Sequence, residues 1–163
     1  MADLRDRFKS AKQDWETPDS LFNELNNEFN FTLDAAADST NAKVRKYFTK
    51  EDNGLAKDWG SNTVFVNPPY GDGKANISKW VWKGFNAACL GATVVMLIPA
   101  RTNTNWFHDY CLDYGEVRFV RGRPKFGGAK HGLPLPLCVV VFRPRLTEPT
   151  SKLISVRFGN DSR

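Results

Sequence analysis

The hydrophobic positions along the chain change period several times, and each change marks an element. From Glu16 to Phe29, Leu21, Phe22 and Leu25 recur at helical spacing behind Thr17 and Pro18, which predicts a helix with Thr17 as N-cap and Pro18 in its first turn. "FTLD" (31–34) and "TVFV" (63–66) are short apolar runs of strand type. Helical spacing returns in "ISKWVWKGFNAAC" (77–89) through Ile77, Trp80, Val81, Gly84, Phe85 and Ala88. "ATVVMLIP" (92–99) is apolar almost throughout, as in a strand buried on both faces. A helix at 104–112 and strands at "EVRFV" (116–120) and "LCVVVF" (137–142) follow. Strands interleaved with helices predict an α/β domain whose mixed sheet is flanked by helices, the last strand pair antiparallel. The domain is expected over 14–145. A mobile segment (1–13) precedes it and a polar tail (146–163) follows, with only "LISVRF" (153–158) strand-like.

Composition narrows the class. A hydrophobic share of 41% in 163 residues supplies one core, hence one folding unit. No apolar run is long enough to cross a bilayer and the first residues, "MADLRDRFKSAKQ", carry charge throughout, so a cytoplasmic protein with no membrane partner is expected. Cys89, Cys111 and Cys138 stand in no zinc or redox spacing and are expected to be reduced core residues. His108 and His131 match no metal pattern, so no metal is expected. The net charge of +5 is regional: residues 101–145 hold eight Lys and Arg against three Asp and Glu, whereas residues 1–100 hold twelve against thirteen. A basic segment of this kind suits a phosphate-facing side, with an ordinary solvated face as its plainer rival.

The chemistry concentrates where "TVFV" runs into Asn67-Pro68-Pro69-Tyr70. The Asn67 side chain carries a carbonyl that accepts from an amine. Two prolines fix φ and remove two backbone donors, leaving carbonyls that accept without competition. Tyr70 adds a flat face on which a planar ring can stack. An exocyclic amine such as that of adenine is a poor nucleophile because its lone pair is delocalised, and two acceptors around it favour the pyramidal form that attacks. Positioning and oriented dipoles then supply most of the catalysis. In an open α/β sheet ligands bind beyond the carboxyl ends of strands, where Asp34, Asn67 and Pro99-Ala100-Arg101 all fall.

Asn-Pro-Pro-Tyr is the motif of S-adenosylmethionine-dependent amino-methyltransferases, and the chain around it resembles the phage-type Dam family of DNA N6-adenine methyltransferases. The same family pattern stands in "DWETPDSLFNELNNEF" (14–29), "FTLDAAAD" (31–38), "KYFTKEDNGLAKDW" (46–59), "VVMLIPART" (94–102) and "VRFVRGRPKF" (117–126). The resemblance implies a minimal Rossmann-like methyltransferase fold and direct transfer of a methyl group from S-adenosyl-L-methionine to the N6 amine of adenine in double-stranded DNA, the base being flipped out. It gives Asn67, Pro68 and Tyr70 the target base and lets Pro69 shape the turn. Thr17 and Pro18 would meet the methionine end of the cofactor. Asp34, Ala35 and Ala36 would form its strand-end loop, and Asp52 with Leu55 would meet its adenine. It also suggests a phage or prophage protein.

Rival readings stand beside these roles. Thr17-Pro18 is a sound helix start without a ligand, Asp34 a plausible turn residue, and Asp52-Asn53-Gly54 a good turn sequence. The loop "DAAADSTN" lacks the glycines usual in cofactor loops, and the 34–52 interval is too short for a helix and a strand ending in a ribose-binding acid, for which Asp38 is the substitute. Arg101, Arg121, Arg123 and Lys125 are candidates for phosphate or guanine contacts. "GGAKHGLPLP" (127–136) reads as a mobile loop too small for a recognition domain, which predicts low sequence selectivity. The same motif could serve RNA or glutamine methylation, and the abbreviated cofactor loop could mark a DNA-binding module without catalysis.

Overall fold

The computed structural model describes residues 16–70, 77–127 and 135–144, and the backbone of 152–157. The expected mobile segment 1–13, most of the 127–136 loop and His131 lie outside them. In chain order the elements are α1 (Asp19–Phe29), β1 (Leu33–Asp34), β2 (Thr63–Val66), α2 (Ile77–Cys89), β3 (Thr93–Pro99), a π-helical segment (Phe107–Leu112), β4 (Glu116–Arg121), β5 (Leu137–Phe142) and β6 (Lys152–Arg157). They build one mixed sheet in the order β1-β2-β3-β5-β4-β6. β5 alone among these strands runs antiparallel to its neighbours, β3 and β4.

Period-two alternation sends successive side chains to opposite faces, so the central strands must be apolar at every position. Phe65, Val95, Leu97, Val139 and Val141 meet Leu21, Phe22 and Leu25 of α1 on one face. Val64, Val66, Val94, Met96, Ile98, Cys138, Val140 and Phe142 meet Trp80, Val81 and Ala88 of α2 on the other. The result is a helix–sheet–helix sandwich with two cores. At the sheet edge remote from the site, Arg118 pins the end of α1 by pairing with Glu28 at 2.6 Å and Glu116 at 2.6 Å, its guanidinium over the Phe29 ring.

Four expectations need correction. Thr17 does not cap α1: the cap position is Pro18, without a side-chain cap bond, because the Thr17 hydroxyl is engaged elsewhere. Phe31 and Thr32 lie outside β1, which is only two residues long. Cys89 is exposed at the end of α2, and only Cys111 and Cys138 are buried. Part of the polar tail joins the sheet as β6, parallel to β4. The helix expected at 104–112 forms, but with π winding over Phe107–Leu112, which apolar recurrence alone cannot distinguish from α.

Candidate active site

β1, β2, β3 and β4 all end on one edge of the sheet, and β5 enters there, with the Ala100 N–H donating to the Pro136 carbonyl at 2.9 Å. Asp34, Asn67 and Pro99-Ala100-Arg101 therefore share a rim, as the order of elements predicted, and Arg121 at the end of β4 joins them.

β2 stops at Val66 while β3 continues to Pro99. Pro68 and Pro69 have no N–H with which to extend the ladder. Tyr70 instead folds back over β3, its hydroxyl donating to the Leu97 carbonyl at 3.2 Å. Burial pushes the Tyr70 phenol well above its ordinary pKa, so it stays neutral. Asn67 Nδ2 donates to Thr17 Oγ1 at 3.0 Å, and Thr17 is only 4% exposed. That contact takes the hydroxyl which would otherwise cap α1, a cap worth about 1 kcal/mol. It also turns the amide carbonyl of Asn67 away from Thr17.

The β1 side is built differently. Asp34 is buried, accepting from the backbone N–H groups of Ala36 at 3.4 Å and Lys43 at 3.2 Å. Burial pushes its carboxyl up to about 6, opposed by those two hydrogen bonds and the Lys43 charge. Tyr47 lies beside Asp34 in a parallel bridge, and no further helix or strand intervenes among the described residues before β2. Asp38 binds its own turn, through Thr40 N at 2.7 Å, Thr40 Oγ1 at 2.6 Å and Asn41 Nδ2 at 2.9 Å. These bonds hold its carboxyl below the usual range. Asp52 is exposed and caps Thr49, accepting from its N–H at 2.9 Å and its hydroxyl at 3.0 Å, which likewise lowers its pKa. Gly54 follows in close contact with the strand end, for a Cβ there would collide with the Ala35 carbonyl. Trp59 Nε1 donates to the Gly54 carbonyl at 2.9 Å, and Leu55 packs on the α2-side core.

A third group comes from β4. Gly122, with φ of 81°, turns the chain so that Arg121, Arg123 and Lys125 stand exposed around a cleft shared with Pro18, Ser20 and Leu21. Phe126, 1% exposed in the α1-side core, anchors the far end of this basic loop with about 2 kcal/mol of burial. Gly127 N–H donates to the Glu16 carbonyl at 3.2 Å. Arg101 is exposed at the end of β3, its carbonyl accepting from Thr104 Oγ1 at 2.8 Å.

The structure thus brings Thr17, Pro18, Asp34, Asn67, Tyr70 and the basic loop to one rim. Asp52 and Asp38 are held by local turns instead. Lys43 was not anticipated: its ammonium reaches Glu16 at 3.1 Å and Asp19 at 2.7 Å, on either side of Thr17. Opposite charges more than twenty residues apart leave no periodic signal in a sequence. Among the described residues no three His, Cys, Asp or Glu side chains gather as metal ligands, and no helix is long and apolar enough to cross a membrane.

Known proteins supply the remaining comparison. A DNA N-6-adenine-methyltransferase of Haemophilus phage HP1 is 36% identical over 107 residues, covering 64% of this chain and 59% of that protein. A DNA N-6-adenine-methyltransferase of Escherichia phage T1 is 31% identical over 108 residues, covering 65% of this chain and 44% of that one. The chain therefore spans less than two thirds of the length of these two relatives. A Listeria monocytogenes protein, solved as a candidate class I S-adenosylmethionine-dependent methyltransferase, superposes with a TM-score of 0.57 at 11% identity, covering 90% of this chain and 67% of that one, and so shares the fold. The family model for DNA N-6-adenine-methyltransferase (Dam) matches residues 6–150, and the chain belongs to that family.

Proposed function

We propose that this protein transfers a methyl group from S-adenosyl-L-methionine to the exocyclic N6 amine of adenine in DNA. The observation that carries the reading is the Asn67 amide, held by Thr17 at the end of β2 beside two prolines that cannot donate. Its carbonyl and that of Pro68 are the acceptors for the adenine amine, and the Tyr70 ring is the stacking face. Tyr70 is not a base, because its hydroxyl is buried and donates to Leu97. The amine proton leaves to water after transfer.

The cofactor, when bound, supplies a methyl group activated by a positively charged sulfur. The residues present fit it: a buried carboxylate at the end of β1 and a threonine in contact with Asn67 flank the same rim. Thr17 and Pro18 take its methionine end, Asp34, Ala35 and Ala36 form the strand-end loop, and Asp52 and Leu55 meet its adenine. For Asp52 this requires sharing the carboxylate that caps Thr49. A paired adenine must leave the duplex to reach the rim, at a few kcal/mol, and Arg101, Arg121, Arg123 and Lys125 offset this through the phosphates of double-stranded DNA. The setting is the cytoplasm of a bacterium carrying a phage or prophage.

The test offers labelled S-adenosylmethionine with unmodified DNA, RNA and protein in parallel, followed by nucleoside analysis. N6-methyladenine in DNA is expected. Label confined to RNA or protein overturns the substrate, and DNA binding without any label identifies a non-catalytic module.

A further inference from the structure

We propose that Lys43 is a positioning residue: by clamping Glu16 and Asp19 on either side of Thr17 and Pro18, it holds the Thr17 hydroxyl on the Asn67 amide for the transfer step. This rests on the methyltransferase reading above. The clamp starts at the end of β1. Asp34 accepts from Ala36 N–H with one oxygen and from Lys43 N–H with the other, closing the intervening loop at both ends. Asp38 stiffens that loop through Thr40 and Asn41, and the Ala42 N–H donates to the Asp38 carbonyl at 3.0 Å. Lys43 therefore leaves a rigid turn at a defined place.

Its ammonium then spans to the segment before α1. The Lys43 side chain is 12% exposed, while Glu16 and Asp19 are 49% and 82% exposed. Ion pairs with exposed partners add little stability, and drawing a lysine out of water opposes that gain. The arrangement is poorly explained as a device for stability and well explained as one for geometry. Thr17, between the two acids, has no other helical duty, since α1 lacks a side-chain cap. Its hydroxyl meets an amide 50 residues away in sequence, so any drift of the Glu16–Asp19 segment displaces that contact directly. The Gly127 N–H on the Glu16 carbonyl holds the same segment from the basic-loop side. Lys43 touches no reacting atom and acts through Thr17.

The test compares Lys43→Met, which keeps most of the stem, Lys43→Arg, which keeps the charge, and the double variant Glu16→Gln, Asp19→Asn. Each is followed by melting, by kcat and KM, and by the side-chain amide resonance of Asn67 in nitrogen-15 spectra. Lys43→Met is expected to lower kcat about tenfold with little change in KM for DNA, and Lys43→Arg to recover most of it. The acid double variant should reproduce the loss, and combining it with Lys43→Met should add little more, as for one interacting unit. The Asn67 amide signal should shift and exchange faster in Lys43→Met than in the wild type. Unchanged kcat per folded molecule with an unmoved Asn67 signal overturns the proposal. A loss confined to KM for DNA, with tighter DNA binding in the acid double variant, overturns it in favour of a direct phosphate contact. If the wild type methylates nothing, the enzymatic reading fails and the Asn67 signal alone decides whether the clamp exists.

Discussion

The ends of β1 and β2 are neighbours on one edge of the sheet, yet they hold their polar groups in opposite ways. After β2, Asn67 and Tyr70 bind partners 50 and 27 residues away in sequence. After β1, Asp38 and Asp52 bind residues only two or three positions away. A turn that satisfies its own carboxylates forms wherever the chain carries that sequence. Two side chains held across the fold exist only once the sheet and α1 have assembled. The β2 end is thus the one that only the assembled fold can build, and Asp34, buried and linked to Lys43, is the β1-side residue that shares its character.

Replacing Asn67 with alanine should give the largest effect, a loss of about 100- to 1,000-fold in turnover, by analogy with removing one oriented polar group from a reacting centre. The melting temperature should move little, since Asn67 is only half-buried at the rim; near-normal methyl transfer would erase the functional contrast between the two strand ends. Asp34 provides the next test. Its folded-state pKa of about 6 lies above the ordinary 3.8, so its contribution to stability is fully present below pH 3.8 and is lost as pH rises through 6. Relative to Asp34→Asn, the wild type should lose about 3 kcal/mol between pH 3 and 7. A difference that stays flat in urea titrations across that range would mean that the carboxylate is solvated.

Gly54→Ala forces a methyl group against the Ala35 carbonyl and should lower stability by about 1–3 kcal/mol through overpacking. An unchanged denaturation midpoint would show that the 49–60 loop does not sit on the end of β1. Asp52→Ala should have the smallest effect on stability, a slight loss from the missing bonds to Thr49 on an exposed turn. Calorimetry sharpens the contrast: cofactor binding weakened at least tenfold gives Asp52 a ligand role as well as a turn role, and unaltered binding leaves only the turn.

Much of the framework was legible in the sequence. "TVFV", "ISKWVWKGFNAAC" and "LCVVVF" became β2, α2 and β5 with the expected bounds, because burial on one or two faces imposes a period that residue types reveal. The resemblance to the phage-type Dam family was legible too, and the family model spans residues 6–150, the stretch in which the quoted segments lie. Thr17 was misread because its local sequence is an ideal cap, and only the arrival of Asn67 withdraws the hydroxyl. The strand character of "LISVRF" was legible, but its place in the sheet was not, because that depends on pairing with β4.

The sequence by itself determined the apolar strands, the faces of both helices, the prolines that end the β2 ladder and the regional positive charge, since each is a property of a residue and its near neighbours. Tertiary structure alone decided which polar groups distant in sequence meet. The Thr17–Asn67 contact, the Lys43 clamp on Glu16 and Asp19, and the 3.2 Å tie from Gly127 to Glu16 join segments whose spacing no local rule governs. Their distances are fixed by how two cores pack against opposite faces of one sheet.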